Sequence, residues 1–443
     1  MTNNIVAIVG RPNVGKSTLF NRLTSARTAI EEKVPGVTRD RLYGISEWSG
    51  RDLVIIDTGG ITFGPSDQLA VQVRKQVDLA VEEAKVIIFL LDGREGLTAL
   101  DEEIAGMLRR SGKIVLPVIN KIDFHEMDSA KYNFYGLGFG DPIPVSASHG
   151  RGTGELLDKV IQLLPEDEAD NVEDDEDIVK VAVIGRPNVG KSSLINAILG
   201  EERVVVNQMP GTTRDAVDTN FIYANQPYLL IDTAGMRRKS KVKDSVEYYS
   251  VLRSLKAVQR ADLALLLLDG ESGITEQDQR LAGYVDQAGR GLVIIVNKWD
   301  LVKGREDARE DYLNSIRRLF SFVPYAQICF VSALTGWRLE RIFPAIINTW
   351  QEQHKRISTS LLNELLEDAI AINPPSSVKG RRVKIFYATQ PEVKPPTFVF
   401  FANEPELIHF SYQRYLENRI REAFDFSGTP ISIKFKKRQR RGE

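Results

Sequence analysis

Two nearly identical glycine-rich segments have the residue types and spacing of a loop that cradles phosphate groups. GRPNVGKST occupies Gly10–Thr18 and GRPNVGKSS occupies Gly185–Ser193, and each follows a short apolar run. The glycines let backbone N–H groups fold around phosphates, while the lysine neutralises their charge. Two such patterns in equivalent contexts predict two phosphate sites, whose members are Gly10, Arg11, Pro12, Asn13, Val14, Gly15, Lys16, Ser17 and Thr18, and Gly185, Arg186, Pro187, Asn188, Val189, Gly190, Lys191, Ser192 and Ser193.

A second repeated motif has the chemistry to read a base. NKID at Asn120–Asp123 and NKWD at Asn297–Asp300 each follow an apolar run. A carboxylate only accepts hydrogen bonds, so it can bind N1–H and the exocyclic amine of guanine but meets an acceptor at N1 of adenine. Asp123 and Asp300 are therefore predicted to select GTP over ATP. The other predicted base contacts are the alkyl stems of Lys121 and Lys298, the remaining motif residues Asn120, Ile122, Asn297 and Trp299, and backbone N–H groups of two VSA segments that contain Ser146, Ala147, Ser332 and Ala333.

These motifs belong to a duplicated domain. The second phosphate loop lies 175 residues after the first, and NKWD lies 177 residues after NKID. Motifs that recur at such a long and nearly constant spacing exclude a solenoid, whose repeats are ~20–50 residues long. Each copy alternates apolar runs with amphipathic stretches, which predicts an α/β class with doubly wound, mostly parallel sheets. The predicted strands are 5–9, 53–56, 86–91 and 114–119, then 179–184, 228–231, 263–268 and 292–296, with hairpin turns at Ser49-Gly50 and Asn225-Gln226.

The regions outside the two copies differ in composition. Nine of the twelve residues 166–177 are Asp or Glu, which predicts an extended solvated linker and leaves a specific acidic docking site as the alternative. After residue 350 the pattern changes to a helix at 361–371, strands at 383–388 and 397–401, a helix at 407–424 and a strand at 431–435, an α+β order. We therefore predict domains at 1–165 and 178–350, a third domain at 351–435 and a basic tail at 436–443.

Composition excludes several classes of protein. The chain has a net charge of −2, 42% hydrophobic residues and a single cysteine, so a disordered chain and a disulfide framework are excluded. There is no signal-peptide pattern, and the apolar runs are far below the ~20 residues that span a bilayer, so we expect a soluble cytoplasmic protein. From residue 351 onward 16 Lys or Arg stand against 11 Asp or Glu, which makes this end the expected contact for a polyanion.

The repeated motifs together resemble the translation-factor-like class of P-loop GTPases. Besides the two motifs above, PGVTRD recurs as PGTTRD and DTGG recurs as DTAG. Two such domains followed by a small third domain resemble the Der (EngA) family of bacterial GTPases over essentially the whole chain. The resemblance implies hydrolysis of GTP to GDP and phosphate, a KH-like third domain and a role in assembly of the large ribosomal subunit, with that subunit and its rRNA as partners.

The resemblance also assigns roles to individual residues. It implies switch threonines that act in hydrolysis together with the loop lysines, and N–H groups that sense the γ-phosphate. The implied catalytic residues are Lys16, Thr38, Lys191 and Thr213; the Mg²⁺ ligands are Ser17, Thr38, Asp57, Ser192, Thr213 and Asp232; and the remaining GTP contacts are Thr58, Gly59, Gly60, Thr233, Ala234 and Gly235.

One position departs from Ras-like GTPases. The residue after each DxxG motif, a water-orienting glutamine in Ras, is Ile61 in the first copy and Met236 in the second. Neither can hydrogen-bond water, so slow basal hydrolysis is expected. Asn13 and Asn188 lie where related GTPases bind a monovalent cation, which predicts K⁺ stimulation. The alternative is that these asparagines only cap the loop turn.

The two copies also differ after that position. RRKSKVK at Arg237–Lys243 contains five basic residues, whereas TFGPSDQ after Ile61 contains none. This difference suggests a phosphate-binding loop in the second copy, with a solvated mobile loop as the alternative.

The third domain lacks the GxxG clamp of ordinary KH domains. We therefore expect phosphate-dominated RNA contacts through Arg381, Arg382, Lys384 or the tail, or docking on the second copy. The strand aromatics are expected to pack in the core more than to stack on bases.

Other functions remain open at this stage. A GTPase that regulates RNA modification or a membrane-associated process is possible, but no further catalytic motif or lipidation signal supports it. A metabolic phosphoryl-transfer enzyme is the other alternative, although the extra domain is a basic module rather than an acceptor pocket. We expect a monomer that binds neither membrane nor DNA.

Overall fold

The computed structural model describes residues 4–24, 43–60, 74, 77–78, 80–164, 177–200, 204–206, 218–231, 254–302, 307–376 and 382–438. The chain divides into two compact units, Met1–Asp174 and Asp175–Glu443. The division falls within the acidic segment, of which residues 166–176 lie outside the described part. The domain boundaries predicted above remain predictions.

The first unit is built on a six-stranded sheet. Its strands are β1 (Ile5–Val9), β2 (Tyr43–Trp48), β3 (Arg51–Asp57), β4 (Val86–Asp92), β5 (Ile114–Asn120) and β6 (Ile143–Pro144), in the spatial order β2-β3-β1-β4-β5-β6. All neighbours pair in parallel except β2 and β3, which form an antiparallel hairpin at one edge. Runs such as β1 and β4 are buried at every position, as expected for strands covered on both faces.

The second unit begins with the same architecture. Its strands are β7 (Val179–Ile184), β8 (Val204–Val206), β9 (Thr219–Tyr223), β10 (Gln226–Ile231), β11 (Leu263–Asp269), β12 (Gly291–Asn297) and β13 (Gln327–Phe330), in the order β13-β12-β11-β7-β10-β9-β8. The predicted class of two doubly wound, mostly parallel sheets is confirmed. The predicted turn at Asn225-Gln226 is wrong by one residue, because Gln226 pairs with Tyr223 and the positive φ values fall on Ala224 and Asn225.

Helices cover both faces of the sheets. They are α1 (Lys16–Thr24), α2 (Ala99–Arg110) and α3 (Thr153–Leu163) in the first unit, and α4 (Lys191–Leu199), α5 (Glu276–Gln287), α6 (Ala308–Leu319) and α7 (Ile342–His354) in the second. The apolar faces of α1 and α3 pack on one side of the first sheet. In the second unit α4 and α7 enclose one core cluster, while α5 and α6 enclose the other.

The third domain has the predicted αββαβ order. It comprises α8 (Thr359–Ile372), β14 (Ile385–Val393), β15 (Pro396–Ala402), α9 (Phe410–Phe424) and β16 (Ser432–Lys437). The sheet order is β14-β15-β16, with an antiparallel first pair and a parallel second pair. Helix α9 begins at Phe410 rather than at 407, because Pro405–Leu407 forms a separate 3₁₀ turn and His409 caps the helix.

The third domain docks on the second sheet at the start of its strands. The N–H of Leu292 donates to the Gly428 carbonyl at 2.7 Å, and the N–H of Gly428 donates to the Tyr325 carbonyl at 2.7 Å. The guanidinium of Arg421 lies 4.8 Å from the centre of the Tyr325 ring. These contacts lie at the opposite end of the strands from the carboxyl ends, where ligands of such sheets bind.

Candidate nucleotide-binding sites

The second phosphate loop leads into a helix whose N-terminus has no side-chain cap, and the first loop also has a glycine directly before its helix. In the second loop Gly190 is the N-cap of α4, with a φ of 99°, and no side chain bonds to the first turn of the helix. In the first loop Gly15 has a φ of 96°. The first-turn N–H groups and the positive end of each helix dipole are therefore available to an anion.

The loop lysines are held under these turns. Lys16 is 7% exposed, and its Nζ donates to the carbonyls of Gly10 at 2.7 Å and Arg11 at 2.9 Å. Lys191 makes the equivalent bonds to Gly185 at 2.6 Å and Arg186 at 2.8 Å. Burial lowers the pKa of each ammonium from 10.5 to about 8. Burial deprives each ammonium of the water that stabilises its positive charge. A phosphate beside the ammonium would stabilise that charge instead, so both pockets suit the β and γ phosphates.

Each NKxD asparagine ties the phosphate loop to the VSA loop. Asn120 Nδ2 donates to the Val14 carbonyl at 2.8 Å, and Asn120 Oδ1 accepts from the Ala147 N–H at 2.9 Å. A Cβ on Gly15 would lie 2.3 Å from Asn120 Nδ2, so that position must remain glycine.

The second copy repeats this bridge. Asn297 Nδ2 donates to Val189 at 2.9 Å, and Asn297 Oδ1 accepts from the Ala333 N–H at 2.9 Å. The asparagines thus fix the loops that carry the phosphate and base contacts. The Ala147 and Ala333 N–H groups, predicted to bind guanine O6, donate to these asparagines in the present structure.

A turn that occurs in both copies, and that the motifs did not reveal, supports each lysine of the NKxD motifs. Lys121 Nζ pairs with Asp92 and Lys298 Nζ pairs with Asp269, the latter at 2.7 Å. Burial alone would raise the pKa of both aspartates, but bonds from these lysines and from two backbone N–H groups hold it below the usual range. The signal was present in the sequence, since Asp92 and Asp269 are 177 residues apart, like the NKxD motifs.

The loop arginines are anchored by two further acids that were missed. Arg11 Nε lies 3.2 Å from Asp101, and Arg186 Nε lies 3.6 Å from Asp278. Both acids are buried members of capping boxes, with Thr98 at the start of α2 and Thr275 at the start of α5. The capping acid therefore also holds the phosphate loop, and the same 177-residue spacing could have revealed it.

The two carboxylates that are predicted to read the base have different surroundings. Asp123 accepts from Ser146 Oγ at 2.7 Å and pairs with Arg94 and with His149 Nδ1. The Ser146 bond, assisted by Arg94 and His149, lowers the pKa of Asp123. In the second copy Asp300 Oδ1 is buried without a hydrogen-bond partner. An orphaned acceptor in this position suits the N–H donors of guanine.

The predicted Mg²⁺ ligands are only partly described. Asp57 is buried at the end of β3 and accepts from the Gly59 N–H at 2.8 Å, while Thr58 donates to the Ile8 carbonyl. The Ser17 hydroxyl is exposed on the first turn of α1. A hydroxyl and a carboxylate are hard oxygen donors of the kind that Mg²⁺ prefers. When bound, Mg²⁺ supplies charge neutralisation for the β and γ phosphates.

Several predicted residues lie outside the described part of the chain. These are Thr38, Thr213, Asp232, Thr233, Ala234, Gly235, Ile61, Met236 and Arg237–Lys243. Asn13 and Asn188 are described; both are exposed and left-handed, with φ of 67° and 65°. Among the described residues no cluster of three or more His, Cys, Asp and Glu side chains could hold a metal ion. No helix within the described ranges is long and apolar enough to cross a membrane.

Comparisons with known proteins agree with this geometry. A family model described as "50S ribosome-binding GTPase" matches residues 5–121 and 180–298, and one described as "KH-domain-like of EngA bacterial GTPase enzymes, C-terminal" matches residues 356–436. GTPase Der of Caldanaerobacter subterraneus is 54% identical over 99% of this chain and 99% of its own length. GTPase Der of Moorella thermoacetica is 54% identical over 100% of both chains.

The chain belongs to the GTPase Der family. It is therefore a GTP-binding GTPase with two P-loop domains and a KH-like third domain, which confirms the resemblance drawn from the motifs. A solved structure of Era in complex with MgGDPNP and a segment of 16S ribosomal RNA aligns with 59% of this chain and 93% of that chain, at 21% identity and a TM-score of 0.32. At that TM-score the alignment supports no conclusion about this member of the Der family.

Proposed function

We propose that the chain is a nucleotide-controlled switch in assembly of the large ribosomal subunit, and that rRNA binds one of its nucleotide states. The observation that carries the proposal is the pair of matched GTP sites on one chain, with a KH-like domain docked on the second copy. The description of the matching family model as a 50S ribosome-binding GTPase supports the partner. We further propose a cytoplasmic monomer that binds neither membrane nor DNA.

The KH-like domain offers a basic surface for this partner. Lys434, Lys436, Lys437 and Arg438 are exposed on and just after β16. Such side chains bind phosphates and carry little sequence information, which suits docking on a folded rRNA. Arg382 and Lys384 lie among the described residues, whereas Arg381 and residues 439–443 of the tail do not.

The strand aromatics divide into two groups. Phe398 and Phe400 are fully buried in the core of the KH-like domain. Phe386 and Tyr387 are 41% and 38% exposed, and Tyr387 stacks on Phe401 at 4.4 Å. If the domain stacks on bases, we expect Phe386 and Tyr387 to do so, and the two buried phenylalanines not to.

Hydrolysis is proposed to be slow in the isolated protein. The ammonium groups of Lys16 and Lys191 would neutralise charge on the transferred phosphate, while Thr38 and Thr213 would close over it. Ile61 and Met236 offer no hydrogen bond to orient water. Loss of the γ-phosphate would release the threonine loops, which is an order–disorder switch.

A K⁺ ion beside Asn13 and Asn188 is proposed to stabilise charge between the β and γ phosphates. The left-handed backbone of both asparagines is equally consistent with the capping alternative. Turnover in KCl and in NaCl at equal ionic strength separates the two, because only a K⁺ site predicts faster turnover in KCl. Equal rates would remove the K⁺ proposal.

The basic segment Arg237–Lys243 is proposed to contact RNA phosphates in a manner that depends on the nucleotide. Neutralising its five basic residues should flatten the salt dependence of RNA binding. An unchanged slope would favour the solvated-loop alternative.

Co-sedimentation with purified large ribosomal subunits tests the switch itself. The full chain would be loaded with GDP or a non-hydrolysable GTP analogue in KCl, alongside Lys16→Ala and Lys191→Ala variants. We expect binding in one nucleotide state and its loss in at least one variant, which would identify the controlling site. Equal, weak and salt-sensitive binding in every state would contradict the switch and leave only nonspecific attraction by the basic surface.

The alternatives predict different products or partners. A metabolic phosphoryl-transfer enzyme would yield a phosphorylated small molecule, whereas the proposed switch yields only GDP and phosphate. A regulator of RNA modification or of a membrane process would show no preference for large ribosomal subunits over other RNA or over vesicles.

A further inference from the structure

The carboxylates assigned to guanine recognition differ in what already occupies them. In the first copy one oxygen of Asp123 accepts from the Arg94 guanidinium, and the other accepts from Ser146 Oγ at 2.7 Å. Asp123 is largely buried, with 8% of its side chain exposed, whereas Arg94 is 61% exposed. In the second copy Asp300 Oδ1 is buried and has no hydrogen-bond partner.

One part of the difference, the contact with Arg94, arises from a single position in otherwise matched turns. The Arg94 N–H donates to Asp92 Oδ1 at 2.9 Å, and the Glu271 N–H donates to Asp269 Oδ1 at 3.0 Å. Arg94 and Glu271 therefore start from equivalent backbone positions and carry opposite charges. A glutamate cannot donate to a neighbouring carboxylate, so Glu271 cannot engage Asp300 as Arg94 engages Asp123.

Guanine and Arg94 compete for the same acceptors. The N1–H and exocyclic amine of guanine use both oxygens of the carboxylate, and one of these oxygens of Asp123 already accepts from the guanidinium, so the two donors compete for its lone pairs. We propose that Arg94 is a competing occupant of the first guanine site, which must be displaced before a guanine nucleotide binds, whereas the matching position of the second site holds a glutamate that cannot compete. This inference rests on the assignment of Asp123 and Asp300 as base readers.

The expected size of the effect follows from the exposure of the pair. An ion pair with one exposed partner is worth roughly a two- to fivefold change in an equilibrium constant. Salt screens such a pair, since the Debye length falls from ~10 Å at 0.1 M to ~3 Å at 1 M. The first site should therefore bind guanine nucleotides more weakly than it would without Arg94. This loss of affinity should become smaller as the salt concentration rises.

The test uses the full chain with one site weakened at a time. A fluorescent GDP analogue is titrated into the Lys191→Ala chain with and without Arg94→Gln, at low and high KCl. We expect Arg94→Gln to tighten binding roughly two- to fivefold at low salt, with a faster association rate, and the ratio to approach one at ~1 M KCl. Arg94 is exposed, so the thermal midpoint should not change.

The second site provides the matched control. In the Lys16→Ala chain, Glu271→Gln should change affinity by less than about twofold, while Glu271→Arg should weaken it by roughly two- to fivefold. Unchanged or weaker binding in Arg94→Gln would overturn the proposal, as would a gain that salt does not reduce. Asp123→Asn in the same background tests the assignment separately, because undiminished GDP affinity there would show that Asp123 does not read the base.

Discussion

The two candidate GTP sites have the same groups at the positions predicted to bind phosphates. Each has a buried lysine bonded to two loop carbonyls and an asparagine that bridges the phosphate and VSA loops. At the base end the surroundings diverge, since Asp123 is engaged by Arg94, Ser146 and His149 whereas Asp300 Oδ1 has no partner. Duplication thus preserved the part that holds triphosphate and left room for the two sites to differ in how readily they take guanine.

The copies also differ in what they carry at the other end of the sheet. The second copy holds the KH-like domain through Leu292, Tyr325 and Gly428. Leu292 is near the start of β12 and Asn297 is at its end, so the docking surface lies about 17 Å from the start of the NKWD segment at ~3.3 Å per residue. A nucleotide signal that reaches the docked domain must therefore pass through the sheet or through loops beside it.

The largest expected effect comes from removing the base-reading charge. Asp300→Asn removes the negative charge and replaces one of the two acceptor oxygens with an NH₂ donor that faces a guanine N–H, so we expect GDP affinity at the second site to fall by about 100-fold or more. The asparagine amide can donate to the C2 carbonyl of xanthine, so xanthosine diphosphate should bind the variant better than the parent.

Asp123→Asn sharpens the comparison between the sites. It should lower the GDP affinity of the first site less than Asp300→Asn lowers that of the second. The reason is that Asp123→Asn also breaks the ion pair with Arg94, which competes with guanine. Titration of each nucleotide in the Lys16→Ala and Lys191→Ala chains measures both losses. Equal losses would indicate that Arg94 does not compete for Asp123.

A second large effect concerns the docked domain. Gly428 has a φ of 80°, and a Cβ there would lie 2.0 Å from Thr349 Oγ1. Gly428→Ala should therefore cost about 3 kcal/mol and loosen the KH-like domain from the second copy. Calorimetry should resolve a separate, lower transition for the KH-like domain.

Gly112→Ala is the matched control for this substitution. Gly112 also has a positive φ, of 65°, but a Cβ there meets nothing within 4 Å. Gly112→Ala should therefore lower the free energy of unfolding of the first copy only by the cost of the left-handed backbone, about 1–2 kcal/mol. Equal destabilisation by the two substitutions would show that the close approach of Thr349 adds no cost beyond that of the backbone.

The sequence predicted the elements and motifs but not their interplay. Buried parallel strands appear in the sequence as apolar runs, and the glycine-rich and NKxD motifs have a fixed chemistry. The α/β class of both copies was therefore predicted correctly. The bridge made by Asn120 could not be predicted, because it joins segments more than a hundred residues apart. The ion pair of Arg94 was equally hidden, since one charged residue in a turn carries no signal until its neighbour in space is known.

We expect a moderate effect of pH on nucleotide affinity, and it should be the same at both sites. Burial lowers the pKa of Lys16 and Lys191 to about 8 in the absence of nucleotide, and a bound phosphate raises it again. Above pH 8 the free sites lose this proton, so binding must take one up, and affinity should fall by up to about tenfold per pH unit. Below pH 8 both states are protonated and affinity should be flat.

Calorimetric titrations in buffers of different ionisation enthalpy count the protons taken up at pH 8.5–9. The Lys16→Ala and Lys191→Ala chains report one site each, and uptake should agree between them. Different uptake at the two sites would contradict the view that their phosphate ends are equivalent.

The smallest expected effect is at the helix caps. Thr98 and Thr275 each cap a helix whose third residue, Asp101 or Asp278, also faces a loop arginine. Replacing either threonine with alanine removes the capping bond and should cost about 1 kcal/mol, or a shift of about 2–4 °C in the unfolding midpoint of that domain. Nucleotide affinity should change little if the acid keeps its arginine. A loss of affinity in Thr98→Ala but not in Thr275→Ala would mean that the cap positions the phosphate loop in only one copy. The two phosphate loops would then have the same shape but would be held in place by different residues.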